Sequence, residues 1–129
     1  MAIEYSLLLS HTGPIDPRHG QWVEAVTVPV VDPARSWYQD DYGILPAQAV
    51  HLRLNKDDLR SSQAEMIAIV HTILQSVAGD AVLLYNGELA VLRRKGGQVV
   101  VSTRGPLASG DWMPQLWDAV AKQDLGGVP

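Results

Sequence analysis

Residues 81–101, AVLLYNGELAVLRRKGGQVVV, constrain this chain more than any other stretch, because two tight-turn signals join three short apolar runs. Asn86-Gly87 is the strongest short hairpin signal in the sequence, since a type I′ turn needs positive φ at both central positions. A two-residue turn there sets Tyr85 opposite Glu88, Leu84 opposite Leu89 and Val82 opposite Val91, with Leu83, Ala90 and Leu92 on the other side. A second turn at Lys95-Gly96 sets Leu92 against Val99 and Val91 against Val100. Both faces of this three-stranded meander over 81–103 are apolar, and a sheet apolar on both sides must have both sides covered.

One cover is legible. Met66, Ile67, Val70, Ile73, Leu74 and Val77 recur at the three-and-four spacing of a single helix face, and Gly79 stands where a helix C-terminus wants positive φ. The spacing predicts a helix over 62–78. For its start, Asn55 can cap with Asp57 and Asp58 behind it, and Ser62 with Glu65 also fits a capping box. The second cover is expected from the tail, where Asp111 can cap a short helix carrying Met113, Leu116, Trp117 and Val120; failing that, a partner or second subunit must supply it.

Elsewhere the period is two. Ile3, Tyr5, Leu7 and Leu9 alternate with Glu4, Ser6 and Ser10 over 2–10, and Val50, Leu52 and Leu54 alternate with His51 and Arg53 over 48–54; both read as strands. Residues 21–31 are ambiguous, because Asp16-Pro17 can cap a short helix while Val26, Val28 and Val30 alternate. Pro29 would confine such a strand to a sheet edge. Residues 32–46 show no period and read as a long loop. The fold class expected is α+β: one domain over 1–129, an antiparallel sheet of about five strands, one main helix packed on a face, and a short C-terminal helix.

Composition narrows the chemistry. Charged residues make up 19% of the chain and the formal net charge is -4, with eight acids against five Lys/Arg in the first 64 residues. A broad basic surface for nucleic acid is therefore not expected. The absence of cysteine removes disulfides, thiolate zinc sites and cysteine catalysis together. No run approaches the roughly 18 apolar residues of a membrane span, and residues 1–10 do not make a signal peptide. Cytoplasmic residence is the expectation.

Residues with reactive side chains form no familiar constellation. His11, His19, His51 and His71 show no recognised ligand spacing, so no metal is expected, and no organic cofactor either. His71 reads as a helix boundary residue and His51 as an outward strand residue. Asp40-Asp41 and Asp57-Asp58 are adjacent carboxylates of the kind usually solvated or matched to a helix dipole. Arg93, Arg94 and Lys95 form the one basic run, read as charge that keeps a sheet edge soluble. Gly96-Gly97 and Gly126-Gly127 match no phosphate loop.

RSWYQDDYGIL, residues 35–45, differs in kind. Trp37, Tyr38 and Tyr42 surround Asp40 and Asp41, which is the composition of a protein-binding hot spot. The competing reading is that these rings fold back over the open face of the sheet.

The opening MAIEYSLLL, together with a helix followed by GDAVLLYNGELAVLRRKGG, resembles a family of small actinobacterial and myxobacterial proteins grouped with the swarm-killing toxin immunity proteins. The resemblance covers the first strand and residues 48–103. It implies an α+β immunity protein that binds and neutralises a cognate toxin in the cytoplasm, without catalytic residues. Residues 11–47 fit no pattern of that family, so the contact residues Trp37, Tyr38, Asp40, Asp41 and Tyr42 rest on their composition alone. Two rivals accompany this reading: a secretion-type effector chaperone acting as an acidic homodimer, and a small hydrolase or transferase using Asp40, Asp41 and the loop tyrosines. A protein partner is expected, and the chain itself is read as a monomer or homodimer.

Overall fold

The computed structural model describes residues 3–16, 20–102, 121–123 and 125. Six antiparallel strands, β1 (Ile3–Leu9), β2 (Val23–Pro29), β3 (Gln48–Leu54), β4 (Ala81–Tyr85), β5 (Leu89–Lys95) and β6 (Gln98–Ser102), form one sheet, and β7 (Ala121–Gln123) adds to β6 in parallel. Their order is β2-β3-β1-β4-β5-β6-β7. Helix α1 spans Ala34–Tyr42 and helix α2 spans Leu59–Ser76. The class is α+β, as the sequence patterns indicate, with two more strands than the five expected. The tail helix expected after Asp111 lies outside the described residues.

The two apolar faces are separately covered. One carries Tyr5, Leu7, Leu9, Val50, Leu52, Leu83, Val91 and Leu92 and packs against Met66, Ile67, Val70, Ile73 and Leu74 of α2. The other carries Leu8, Ala49, Val82, Leu84 and Ala90, packed with Ile44 and the half-buried Tyr38, Tyr42, Val28, Val30 and Leu125. Fully burying each such aliphatic side chain is worth about 1.5–3 kcal/mol relative to exposure. Strand β1 lies between β3 and β4 at the centre, which is why its alternation is broken by a buried Leu8 on the second face.

Helix α2 begins three residues earlier than its apolar stripe implies. Asp58 is the residue that caps it, accepting from the Ser61 backbone N–H at 3.2 Å, while Asn55 caps the preceding 3₁₀ turn Lys56–Asp58 by accepting from Asp57 N–H at 2.9 Å. The Ser62–Glu65 capping box does not form. Ser62 is buried and donates to the Asn55 carbonyl at 2.7 Å, and Glu65 turns outward to β2. At the other end α2 stops at Ser76 with an extended Val77 as its C-cap, short of the expected residue 78, and Gly79, with a φ of 103°, lies in the connection to β4 instead of closing the helix.

The meander forms, but with a different register. Asn86 (φ 50°) and Gly87 (φ 76°) make the turn, closed by Glu88 N–H to the Tyr85 carbonyl at 3.1 Å. Pairing then resumes as Tyr85 with Leu89 and Leu84 with Ala90, which leaves Glu88 as an extra residue. A bulge between Leu83 and Leu84 follows, and beyond it Leu83 pairs with Leu92 and Val82 with Arg93. Leu84 and Leu89, expected to face one another, thus lie on opposite faces of the sheet. A bulge lets two consecutive side chains share a side, and here it puts both Val91 and Leu92 under α2. The second turn sits at Gly96-Gly97 (φ 60° and 80°), one residue later than Lys95-Gly96, so Leu92 faces Val101 instead of Val99.

Residues 32–46 are not a loop. Helix α1 occupies their centre, beginning after Pro33 and ending at Gly43, whose φ of 73° and N–H to the Gln39 carbonyl close the last turn. Its only strong sequence signal is the pair Tyr38 and Tyr42, four residues apart, too little for a periodicity search. The Pro-before, Gly-after bracket was the better clue.

Candidate protein-contact surface

Helix α1 divides its aromatic residues between two tasks. Tyr38 and Tyr42 face the sheet, ring centroids 6.3 Å apart, and join the second cluster. The Tyr42 hydroxyl donates to the Glu88 carbonyl at 2.7 Å. Burial, reinforced by the negative charge of Asp41, pushes the Tyr42 phenol above its ordinary pKa. The Arg35 guanidinium donates through Nε to the Pro46 carbonyl at 2.9 Å, and Lys95 Nζ donates to the Gly43 carbonyl at 3.3 Å. No residue of α1 is fully buried, so these contacts at its two ends and its tyrosines hold it in place.

The other face of α1 points away from the protein. Trp37 is 63% exposed, and Asp40 and Asp41, three and four residues on, share its exposed face. Both carboxylates belong to the last helical turn, which holds no basic residue, whereas the first turn holds no acid. That is the reverse of what the helix dipole favours, since negative charge is stabilising at the N-terminus and unfavourable at the C-terminus. Among the described residues, four of the five exposed large hydrophobic residues, Val26, Val31, Trp37 and Leu45, fall within residues 26–45.

Of the five residues singled out from sequence, the structure places Trp37, Asp40 and Asp41 on one exposed helix face and turns Tyr38 and Tyr42 inward. The sheet-cover reading therefore describes the inward side of α1, and three of the five residues expected at a partner contact stand on its outward side. Val26, Val31 and Leu45 were not anticipated, because exposure of a lone aliphatic residue leaves no trace in sequence.

Several of the other reactive side chains have structural partners. Within the basic run, read from sequence as charge on a sheet edge, Arg94 donates to the carbonyls of Leu74, Val77 and Gly79 at the end of α2, and β5 lies between β4 and β6, inside the sheet and not at its edge. Desolvation lowers its pKa, partly offset by Asp80. Glu65 Oε1 accepts from the backbone N–H groups of Trp22 at 2.8 Å and Val23 at 3.0 Å. A cleft of about 550 Å³ lies between α2 and residues 11–16, floored by Ile15, Ile69, Ile73 and Val77, with His11, Asp16 and Glu65 in its walls. His51 is exposed and shares a 2.9 Å hydrogen bond with Ser6 Oγ. Among the described residues no three His, Asp or Glu side chains are grouped to hold a metal ion, and no helix is long and apolar enough to cross a membrane.

A family model described as SitI3-like matches residues 4–114, most of the chain and including the segment 11–47 that the sequence resemblance did not reach. The chain belongs to the SitI3-like family. Comparison with curated proteins and with solved structures found no match. Family membership extends over β1 through α1 and the meander alike, so α1 belongs to the region the family shares. The family name is that of an immunity-protein family, which implies a protein partner such as a toxin.

Proposed function

We propose that this SitI3-like protein is a non-enzymatic binding protein that occludes a cognate toxin in the cytoplasm, with the outer face of α1 as a principal contact. The observation carrying this reading is the exposed Trp37 flanked by Asp40 and Asp41 at the helix end where carboxylates are least welcome. A cationic partner surface would relieve that local repulsion, and a pocket for the indole would desolvate an aromatic residue that is now largely exposed. Family membership supports the class of partner, and the net charge of -4 suits a basic one.

Co-expression with a candidate toxin encoded beside this chain's gene tests the reading. The wild-type chain should restore growth and form a complex with that product. Trp37→Ala should weaken the complex by about 2 kcal/mol or more, roughly thirtyfold, while the fold survives. Asp40→Asn with Asp41→Asn should mainly slow association at low salt. Unchanged affinity in Trp37→Ala would move the contact elsewhere on the molecule, and failure of rescue by the wild-type chain would remove the immunity assignment.

A further inference from the structure

The face of the sheet beneath α1 is only partly covered. Tyr38, Tyr42 and Ile44 pack over Leu8, Ala49, Val82, Leu84 and Ala90. Further along the same face the strands carry exposed residues. Because Tyr5 and Leu7 of β1 and Leu52 and Leu54 of β3 point to α2, their neighbours Glu4, Ser6, His51 and Arg53 point to the α1 side, as do Glu24 and Val26 of β2. The register lines them up in two rows: Val26 beside His51 beside Ser6, and Glu24 beside Arg53 beside Glu4. Val26 is 54% exposed, and His51, Arg53, Glu24 and Glu4 are exposed with it.

The charge on this open half is uneven. Two carboxylates, Glu4 and Glu24, flank the single guanidinium of Arg53. The β4–β5 turn adjoins Glu4, since Asn86 N–H donates to the Glu4 carbonyl at 2.8 Å and the Glu4 N–H to Asn86 Oδ1 at 3.3 Å. That turn brings in exposed Glu88, whose carbonyl holds Tyr42 of α1. The open face is thereby continuous with α1 through Glu88, and the carboxylates along this route outnumber its one exposed cation.

The edge beside it is interrupted for strand addition at both ends of β2. Asn55 N–H to the Trp22 carbonyl and Val30 N–H to the Ala47 carbonyl fix which β2 residues bond to β3, so Val23, Ala25, Thr27 and Pro29 turn their main-chain groups outward. Val23 already gives its N–H to Glu65 and its carbonyl to Gly20, and Pro29 has no N–H. A partner reaching this end of the molecule finds a broken edge beside an open face.

We propose that the half of the sheet face left open by α1, centred on Val26, His51 and Ser6, is a face-on docking surface for a lysine- or arginine-bearing segment of the protein partner. The proposal rests on the α1 reading above and extends it across β1, β3 and β2. Apolar stems of lysine or arginine lie over Val26 while their charged heads reach Glu4, Glu24 and Glu88.

Titration of the isotopically labelled protein with a synthetic oligo-lysine peptide, followed by backbone amide shifts, tests it. Saturable shifts are expected at Glu4, Ser6, Glu24, Val26 and His51 that exceed those at Asp16, an exposed acid on the α2 side of the sheet. Glu4→Gln with Glu24→Gln should weaken the peptide about fivefold, as expected for two exposed pairs, and Asp16→Asn should not. Shifts confined to Trp37, Asp40 and Asp41 overturn the proposal and leave the α1 reading standing. Equal shifts at Asp16 reduce it to general charge attraction and overturn it as well. If no saturable shift occurs anywhere, the proposal falls, and the partner affinity of Trp37→Ala decides the α1 reading separately.

Discussion

Arg94 of β5 donates from Nη2 to the carbonyl of Val77 at 2.8 Å, so a strand residue closes the end of a helix seventeen positions earlier. The same guanidinium reaches Leu74 and Gly79. The last carbonyls of a helix have no intrahelical donor, and a cation there also meets the favourable end of the dipole. Arg94→Ala should lower stability by about 2–3 kcal/mol, the range for loss of charged hydrogen bonds. Arg94→Lys should recover only a fraction, because one ammonium cannot span three carbonyls held by a planar fork. Urea denaturation measures both, and equal stability of Arg94→Lys and wild type would show that charge alone suffices.

Tyr5 presents the opposite case. Its ring is fully buried against Tyr85 in an edge-on contact, centroids 5.2 Å apart, yet its hydroxyl has no hydrogen-bond partner, with Gln63 near but outside bonding geometry. Tyr5→Phe should therefore leave stability unchanged or raise it by about 1 kcal/mol, since an unsatisfied buried hydroxyl costs free energy. A loss beyond about 1 kcal/mol in thermal or urea unfolding would mean that the hydroxyl is satisfied in solution.

Alkaline pH probes the same group. Burial raises the phenol pKa of Tyr5, and of Tyr42, above the ordinary 10.0. Ionisation is then easier in the unfolded chain, so the neutral-phenol contribution is fully present below pH 10.0 and is lost as pH climbs toward the folded values. Unfolding midpoints should fall above that pH in wild type, and less steeply in Tyr5→Phe. An identical slope in the two proteins would contradict the assignment.

Glu65 links α2 to the start of β2, and Gly20 makes the link possible. A Cβ at Gly20 would stand inside the Glu65 carboxylate itself. Gly20→Ala must displace Glu65 from the Trp22 and Val23 N–H groups, and it should cost about as much as Glu65→Ala, roughly 1.5–3 kcal/mol. The double variant should be far less than additive, which a double-mutant cycle measures.

Tyr42→Phe separates the roles of α1. Loss of the bond to Glu88 should cost about 1 kcal/mol and speed hydrogen exchange in residues 34–42. Trp37→Ala, by contrast, should stay within about 0.5 kcal/mol of wild type, as for an exposed residue with no structural partner. A large destabilisation by Trp37→Ala would make the indole part of the fold.

Period-two and period-3.6 patterns made β1, β3 and α2 legible, because each buries a continuous face whose residues must alternate or recur. The meander was legible as three strands and two glycine turns, yet its register was not. The extra residue Glu88 and the bulge at Leu83/Leu84 have no sequence signature, and they follow from tertiary needs: the Glu88 carbonyl is left for Tyr42, and Val91 and Leu92 both reach α2. Helix α1 was missed for the same kind of reason. Its inward face is two tyrosines, and what stabilises it lies at Pro46, Glu88 and Lys95, positions that a local window does not see. Trp37, Asp40 and Asp41 could be picked out by composition, but only the helix put them on one face.

The interrupted outer edge of β2 has a consequence for the protein on its own. A free strand edge is a template on which identical chains stack, and the hazard grows with concentration. With Val23 already engaged by Glu65 and Gly20, and Pro29 unable to donate, copies of this chain lack an uninterrupted ladder along which to align. One glutamate, one glycine and one proline thus break up the ladder on which a second copy would have to align along β2.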